Sequence, residues 1–205
     1  MKLHDSKRAP NPRRVRWFMA EKGIDDIEIV DIDIFGGDHR TPAYLAMAGL
    51  PNVPALELDD GSGITESIAI CRYLESLYPD PNMFGTDPRE TAEIEMWTRR
   101  AEMLVATPLM LAVRHSHPAL AAIETQVPEL AASQRRAAER GIAVLDRHLA
   151  TRDFIAADRV TIADIVAFTG IDFARMIQFK PAEELTAVNR WAAMMRARPA
   201  ASAGI

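Results

Sequence analysis

The stretch 50–74, LPNVPALELDDGSGITESIAICRYL, constrains the fold more than any other part of this 205-residue chain. Pro54 opens an alternating apolar run, which predicts a short strand, because proline is tolerated at the first residue of a strand but not inside a central one. The acidic pair before Gly61 predicts a turn, and Ile64-Thr65 predicts a returning strand. Apolar residues at helical spacing follow Ser67, so the stretch predicts a hairpin that leads directly into a helix.

This hairpin and helix would present two features to a ligand. An extended backbone edge beside Pro54 suits a ligand that itself runs like a strand. A helix N-terminus at Glu66-Ser67 offers unpaired N–H groups and partial positive charge, which suit a carboxylate. Together the two features predict a small peptide-like anion as the ligand.

The residues before this stretch predict the rest of a small α/β unit. In chain order they indicate a strand at 1–5, a proline-rich loop at 6–12, a helix from about Val15 to Lys22, a strand at 27–35 and a short helix that starts at Thr41-Pro42. Gly23 suits the residue after a helix, since glycine readily adopts the left-handed conformation found there. This order of strands and helices is typical of a thioredoxin-like domain.

After a proline-rich connector the chain predicts helices only. They are expected from about Arg89, from about Pro128 to Leu149, from Val160-Thr161, and over a last segment that ends near Pro199. Pro108 would kink the first of these helices. Thr161 and Asp164 have the spacing of a capping box, so we expect them to have a structural role at a helix start.

Composition and charge argue against several classes of protein. A formal net charge of −5 argues against a general nucleic-acid or anionic-membrane surface. Residues 1–5 lead into charged residues and no apolar run approaches transmembrane length, so we expect a cytoplasmic protein with no membrane or nucleic-acid partner. The single cysteine, Cys71, excludes an internal disulfide, and its place on an apolar helix stripe predicts that it is buried.

The central stretch also carries the signature of a known family. Val-Pro-x-Leu, the acidic turn and Glu-Ser-x-Ala-Ile-x-x-Tyr-Leu resemble the glutathione-binding half of the cytosolic glutathione S-transferases. Thr-x-Ala-Asp, Arg-Trp and Arg-Pro-Ala resemble the family's C-terminal domain, so the resemblance covers essentially the whole chain. It implies an α/β thioredoxin-like domain at 1–79, a linker at 80–88 and an all-helical domain at 89–205.

The resemblance further implies how the stretch would hold glutathione. In the family the peptide bond before the proline is cis, and the preceding residue pairs through its backbone with the cysteinyl part of glutathione. Here those residues are Pro54 and Val53. Glu66 and Ser67 correspond to the pair that holds the γ-glutamyl end. The alternative is an ordinary hairpin followed by a capped helix.

A second segment resembles the part of the family that binds the glycyl carboxylate of glutathione. The segment is Gly-Gly-Asp-His-Arg, and the resemblance implies that His39 and Arg40 bind this carboxylate. Asn52 is implied to bind it as well, since it stands where the family usually has Gln or Lys. If His39 is protonated the contact is charge-assisted, and affinity would then fall as the pH rises. The alternative is a plain surface loop.

The chemistry of the family requires the glutathione thiol to become a thiolate, which is the nucleophile. In the family this happens at the loop after the first strand and the start of the next helix. That region lacks the usual tyrosine and cysteine, and Ala9 stands at the usual serine position. Pro-Asn-Pro-Arg is similar to the Pro-Asn-Gly segment of bacterial nu-like members, so we expect Asn11 to be the sulfur-side donor, with Ser6 as the reserve candidate. A turn residue between two prolines is the alternative for Asn11.

Other residues would act around the thiol or on the second substrate. A positive cluster could assist thiolate formation: Lys7, Arg8, Arg13 and Arg14. The alternative for its arginines is a solvated face, which we expect for at least two of them. Family analogy places four residues at the second-substrate pocket: Met103, Thr107, Arg114 and Phe173. His115 and His117 do not predict a metal site, since residues two apart on a helix point away from each other.

The sequence therefore favours a glutathione transferase with glutathione as co-substrate and no metal. It would act on a small hydrophobic electrophile or, as in nu-like members, on a disulfide. The rival is a non-catalytic transferase-like binding or scaffold protein, which Ala9 at the usual serine position supports. The resemblance also implies a homodimer.

Overall fold

Four short strands form one mixed sheet in the first part of the chain. They are β1 (Lys2–Asp5), β2 (Glu28–Asp31), β3 (Ala55–Glu57) and β4 (Gly63–Thr65). Their order is β2-β1-β3-β4, with β1 parallel to β2 and the other two pairs antiparallel. Three helices belong to the same part: α1 (Pro10–Lys22), α2 (Pro42–Ala48) and α3 (Ser67–Leu77). This arrangement confirms the predicted thioredoxin-like domain.

The computed structural model describes residues 1–203 and divides into two compact units. The first comprises Met1–Asn82 with Ser202 and Ala203, and the second comprises Met83–Ala201. The second unit is helical, with α4 (Pro88–Ala101), α5 (Thr107–Arg114), α6 (Pro128–Leu149), α7 (Ile162–Phe173) and α8 (Thr186–Arg196). Short 3-10 turns lie at Asp38–Arg40, Pro118–Ala122, Ala174–Ile177 and Pro199–Ser202. The predicted α/β-plus-helical architecture is confirmed.

Two local predictions were wrong in the first unit. The strand expected at 27–35 ends at Asp31, because Asp33 closes a turn in which its carbonyl accepts from Gly37 N at 3.0 Å and its side chain from Phe35 N at 2.9 Å. An aspartate side chain that accepts a hydrogen bond from a nearby backbone N–H favours a turn over strand pairing. The loop expected at 6–12 is already helical from Pro10, since proline at a helix start gives up an N–H that would be unpaired anyway.

The helix that contains Pro108 is irregular, as predicted. Between α4 and α5 the segment Glu102–Ala106 is π-helical, and the N–H of Thr107 donates to the carbonyl of Glu102, five residues back. Proline has no N–H and its ring crowds the carbonyl four residues before it, which here belongs to Leu104. A π-helical turn relieves that crowding, and such turns are frequent at functional sites.

Two glycines allow neighbouring helices to approach this π-helical segment. A Cβ on Gly141 of α6 would lie 2.0 Å from the carbonyl oxygen of Leu104. A Cβ on Gly170 of α7 would lie 2.6 Å from the Cα of Ala106. Helix α7 is buried on all its faces from Ile162 to Ile171, so the π-helical segment packs against the central helix of its unit.

Candidate functional site

The strand register brings three predicted ligand-binding segments to one end of the sheet. His4 pairs with Ala55, and Ala55 pairs with Thr65 on its other side. Because these pairs are antiparallel, the residues that follow β1, precede β3 and follow β4 share that end. Ser6, Val53-Pro54 and Glu66-Ser67 are therefore neighbours, although more than forty residues separate the first from the others.

The segment before β3 is held rigidly by its surroundings. The Val53–Pro54 peptide bond is cis, as the resemblance implies. Val53 packs against a buried cluster that includes Tyr44 and Ala55. The hydroxyl of Tyr44 donates to the carbonyl of Asn52 at 2.5 Å, and burial raises the pKa of Tyr44 to about 12, so the hydroxyl stays protonated at neutral pH. The backbone of Val53 is thus fixed for a ligand to pair with.

The start of α3 combines a strained backbone with a buried hydroxyl. Glu66, the N-cap, has φ 68° and ψ 116°, a conformation that costs a residue with a side chain about 1–3 kcal/mol. Its side chain is exposed and makes no capping hydrogen bond to the helix. Ser67 is buried, and its Oγ accepts from Nη1 of Arg14 at 3.3 Å. Because Glu66 combines a strained backbone with an exposed carboxylate, this helix start is a candidate binding site.

His39 is a buried hydrogen-bond donor in the 3-10 turn Asp38–Arg40. It is 6% exposed, and its Nε2 lies 3.4 Å from Nε of Arg40, which can only donate. Nε2 is therefore the acceptor, Nδ1 carries the proton, and Nδ1 has no hydrogen-bond partner among the described residues. Burial and then the charge of Arg40 lower the pKa of His39. The imidazole is neutral at neutral pH, so Arg40 and not His39 supplies charge to this end of the site.

The first turn of α1 holds the residues expected near the thiol. Asn11 is the second residue of α1 and is half-buried, and its Oδ1 makes no hydrogen bond within residues 1–203. Ser6 is buried just after β1, and its carbonyl accepts from Ala9 N at 3.1 Å. Ala9 is the N-cap of α1 and offers no side-chain cap. Asn11 thus lies at the helix start where the resemblance expects the sulfur-side donor.

The positive cluster divides into two exposed and two buried cations. Lys7 and Arg8 are exposed, whereas Arg13 and Arg14 are 7% and 2% exposed. The solvated face expected for at least two of the three arginines was therefore wrong, because α1 packs two of them into the interior. The guanidinium of Arg13 lies 5.7 Å from the ring centroid of Trp17, a cation–π distance. The bond from Arg14 to Ser67 was not predicted from the sequence. The sequence did carry a signal that Arg14 is buried. Arg14 lies three residues before Trp17 and four before Phe18, which places it on the same apolar helix face.

The residues expected at the second-substrate pocket all lie in the second unit. Met103 is 60% exposed on the π-helical segment, and Nη2 of Arg99 lies 3.7 Å from its sulfur. Thr107 and Arg114 are the first and last residues of α5, and Phe173 is the last residue of α7. Arg114 pairs with Glu124 at 2.6 Å. Their joint role stays a prediction.

Two of the histidines and the single cysteine make contacts within the second and first units, respectively. Within 1–203, no group of three or more His, Cys, Asp or Glu is placed to hold a metal ion. Nδ1 of His115 and Nδ1 of His117 accept from backbone N–H groups, those of Val127 and Ala119, both at 3.3 Å. Cys71 is fully buried, and burial raises the pKa of its thiol, so a reactive thiolate is disfavoured there.

Comparison with known proteins identifies the family. The family model for the glutathione S-transferase N-terminal domain matches residues 9–77, and that for the C-terminal domain matches residues 102–199. Over 202 residues the chain is 34% identical to Glutathione S-transferase 2 of Saccharomyces cerevisiae, which covers 97% of this chain and 87% of that protein. The chain belongs to the glutathione S-transferase family.

Two further matches bear on this transferase-family chain. A crystal structure of a glutathione S-transferase domain-containing protein from Marinobacter aquaeolei superposes with a TM-score of 0.91 at 36% identity, covering 98% of this chain and 99% of that one. Elongation factor 1-gamma of Danio rerio is 31% identical over 161 residues, which are 77% of this chain and 34% of that protein. In residues 1–203 of this family member, no helix is long and apolar enough to span a membrane.

Proposed function

We propose that this chain is a glutathione transferase that binds glutathione in its first unit and activates the thiol for attack on a small electrophile or a disulfide. One observation carries the proposal. The sheet register places the fixed backbone of Val53, the buried Ser67 hydroxyl and the N-terminus of α3 at one end of the sheet, beside the start of α1. A short anionic peptide needs such a combination of a pairing edge and a carboxylate site.

Each end of glutathione has a matching group. The backbone of Val53 pairs with the cysteinyl part, while Ser67 and the free N–H groups of α3 receive the carboxylate at the γ-glutamyl end. The exposed carboxylate of Glu66 faces the ammonium group of that same end. His39 donates Nδ1–H to the glycyl carboxylate. Two further donors complete this glycyl site: Arg40 and Asn52.

Thiol activation rests on hydrogen bonding and charge. The amide of Asn11 donates to the sulfur, and an amide cannot act as a base, so the proton leaves to solvent. The N-terminus of α1 and the buried Arg13 and Arg14 favour the negative sulfur. The thiolate then forms a thioether, either by displacing a leaving group from a carbon as an anion or by adding to an activated double bond that takes up a proton from solvent. With a disulfide it forms a mixed disulfide as the other sulfur leaves as thiolate. Ser6 is the reserve donor.

Replacing Asn11 with alanine tests this mechanism. In the parent protein, the ultraviolet absorbance of the thiolate should show that bound glutathione has a pKa about two units below the ordinary value of about 8.5 for a free thiol. In Asn11→Ala the shift should shrink by at least one unit, which is about 1.4 kcal/mol, while affinity changes little. Asn189→Ala in the second unit, whose Nδ2 donates to Ala182 O at 2.8 Å, is the control and should leave the thiol unchanged.

Three other outcomes have distinct meanings. No binding at millimolar glutathione would exclude both the site and the enzyme. Binding with an unshifted thiol would favour the non-catalytic scaffold, the second candidate, which Ala9 and the similarity to elongation factor 1-gamma support. A shift that survives in Asn11→Ala would move the donor role to Ser6 or to a backbone N–H.

Replacing Glu66 with glycine should separate stability from binding. Glycine adopts positive φ without strain, so Glu66→Gly should raise the free energy of unfolding by about 1 kcal/mol in urea. Loss of the carboxylate should weaken glutathione about tenfold in calorimetric titration. Gln178→Gly, at φ 56° in the second unit, should give a similar stabilisation with unchanged affinity. A Glu66→Gly protein that binds normally would remove Glu66 from the site.

The remaining assignments follow the family. We propose a cytoplasmic homodimer with a glutathione-binding domain at 1–79, a linker at 80–88 and a helical domain at 89–205. The division between the two compact units, after Asn82, falls inside that linker. The second substrate is proposed to contact the four residues of the second unit named above.

A further inference from the structure

Arg14 is a charged side chain in a place where charge is costly. It is 2% exposed and ranks among the largest fully buried side chains of the protein. Removing a guanidinium from water costs several kcal/mol, so a fold retains it where the charge is used. Its Nη1 reaches from α1 to α3 and donates to Oγ of Ser67 at 3.3 Å, between residues 53 apart in sequence.

This bond sets the role of the Ser67 hydroxyl. A hydroxyl has one proton to donate and two lone pairs, whereas a guanidinium can only donate. Ser67 is therefore the acceptor in this pair, and its own proton remains to be donated elsewhere. Ser67 is also the first residue of α3, where the backbone N–H groups have no intrahelical partner. The Ser67 hydroxyl and the first backbone N–H groups of α3 thus lie at the same helix start, and the Arg14 guanidinium contacts that hydroxyl.

The other end of the α1–α3 contact is organised differently. Nζ of Lys22 lies 2.7 Å from Glu75 and donates to the carbonyls of Tyr78 and Pro81 at 2.7 Å. Lys22 therefore joins two helices by satisfying groups of the chain itself. Arg14, two turns earlier on α1, contacts a hydroxyl at the candidate ligand site. Arg14 and Lys22 therefore contact α3 in different ways.

We propose that Arg14 is a positioning residue for glutathione. It holds the Ser67 hydroxyl as a donor toward the carboxylate of the γ-glutamyl end and adds positive charge behind it. This inference rests on the proposed function, because it assigns a second residue to the same subsite. It specifies that the effect of Arg14 on binding is exerted on this carboxylate and passes through Ser67.

The test compares two peptides that differ only in this carboxylate. They are glutathione and 4-aminobutyryl-cysteinylglycine, which keeps the ammonium and the rest of the chain. Arg14→Met should weaken glutathione about 30-fold but the analogue less than about 3-fold, because charge-assisted hydrogen bonds account for differences of this size. Ser67→Ala should weaken glutathione about tenfold. The double variant should bind glutathione no more weakly than Arg14→Met, since residues that act as one unit are not additive.

The outcomes separate this inference from the proposed function. If the parent protein fails to bind glutathione, the proposed function itself is wrong. If the parent binds but Arg14→Met weakens both peptides equally, or its effect multiplies with that of Ser67→Ala, Arg14 only packs the helices and the inference is wrong. Should Arg14→Met fail to fold, Arg14→Lys decides, because it keeps the charge but loses the guanidinium geometry. Its loss of affinity should again be larger for glutathione than for the analogue.

Discussion

Asp164→Ala is expected to lower the free energy of unfolding of the second unit by about 4 kcal/mol or more. Asp164 is fully buried and accepts four hydrogen bonds, from the backbone N–H of Ile155 and of Thr161 at 3.0 Å, from Oγ1 of Thr161 at 3.0 Å and from Nε1 of Trp191 at 2.9 Å. Alanine would leave these donors buried without an acceptor, at about 1–3 kcal/mol each before relaxation. It would also remove the capping box of α7.

Urea unfolding followed by circular dichroism measures this loss, provided that the slope of the transition is unchanged. Asp158→Ala is the control, since the Asp158 side chain is 98% exposed and its ion pair with Arg159 spans 3.7 Å. Exposed ion pairs contribute about 0–1 kcal/mol, so the control should stay within that range. An Asp164→Ala protein within 1 kcal/mol of the parent would show that the network does not stabilise the unit.

Gly141→Ala is expected to lower the free energy of unfolding by about 3 kcal/mol. The added methyl group would meet the Leu104 carbonyl, a backbone atom that cannot move aside as a flexible side chain can. That carbonyl cannot take an α-helical bond from Pro108. Pro108→Ala restores the missing N–H, so in that background Gly141→Ala should cost at least about 1 kcal/mol less, a coupling of the size found between contacting residues.

The four proteins of this cycle are compared by their urea midpoints. Ser133→Ala serves as the control, because Ser133 is exposed on the same helix, α6, and should change stability by less than about 0.5 kcal/mol. Equal costs for Gly141→Ala with and without Pro108 would mean that the proline does not cause the close approach of Leu104 to α6.

Features that depend on residues close in sequence were predicted well. The hairpin, the start of α3 at Ser67, the start of α2 after Thr41 and the capping box of α7 are confirmed. Each depends on turn chemistry, capping or periodicity within a few residues. The two local errors also concern single residues, since Asp33 turns the chain where alternation favoured a strand, and Pro10 begins a helix where composition favoured a loop.

The members of the candidate site remain predictions, and the physical state of several of them depends on contacts that the sequence does not reveal. The cis bond before Pro54 was implied by the resemblance and is present. The neutral state of His39 was not predictable, because its pKa is lowered by burial and by the charge of Arg40 in the folded turn. The bond from Arg14 to Ser67 joins residues 53 apart, and no local pattern encodes a distance between two helices.

Short-range patterns in the sequence were therefore enough to predict the strands and helices within a few residues, to show the family resemblance and to suggest which segments bind a ligand. The other features depend on tertiary contacts. The register of β3 placed Val53 and Ser67 together, the packing of α1 on α3 buried Arg14 beneath the hydroxyl, and the approach of α6 left room for no more than a hydrogen atom at Gly141. Burial and contact between distant residues set their charge, orientation and available space.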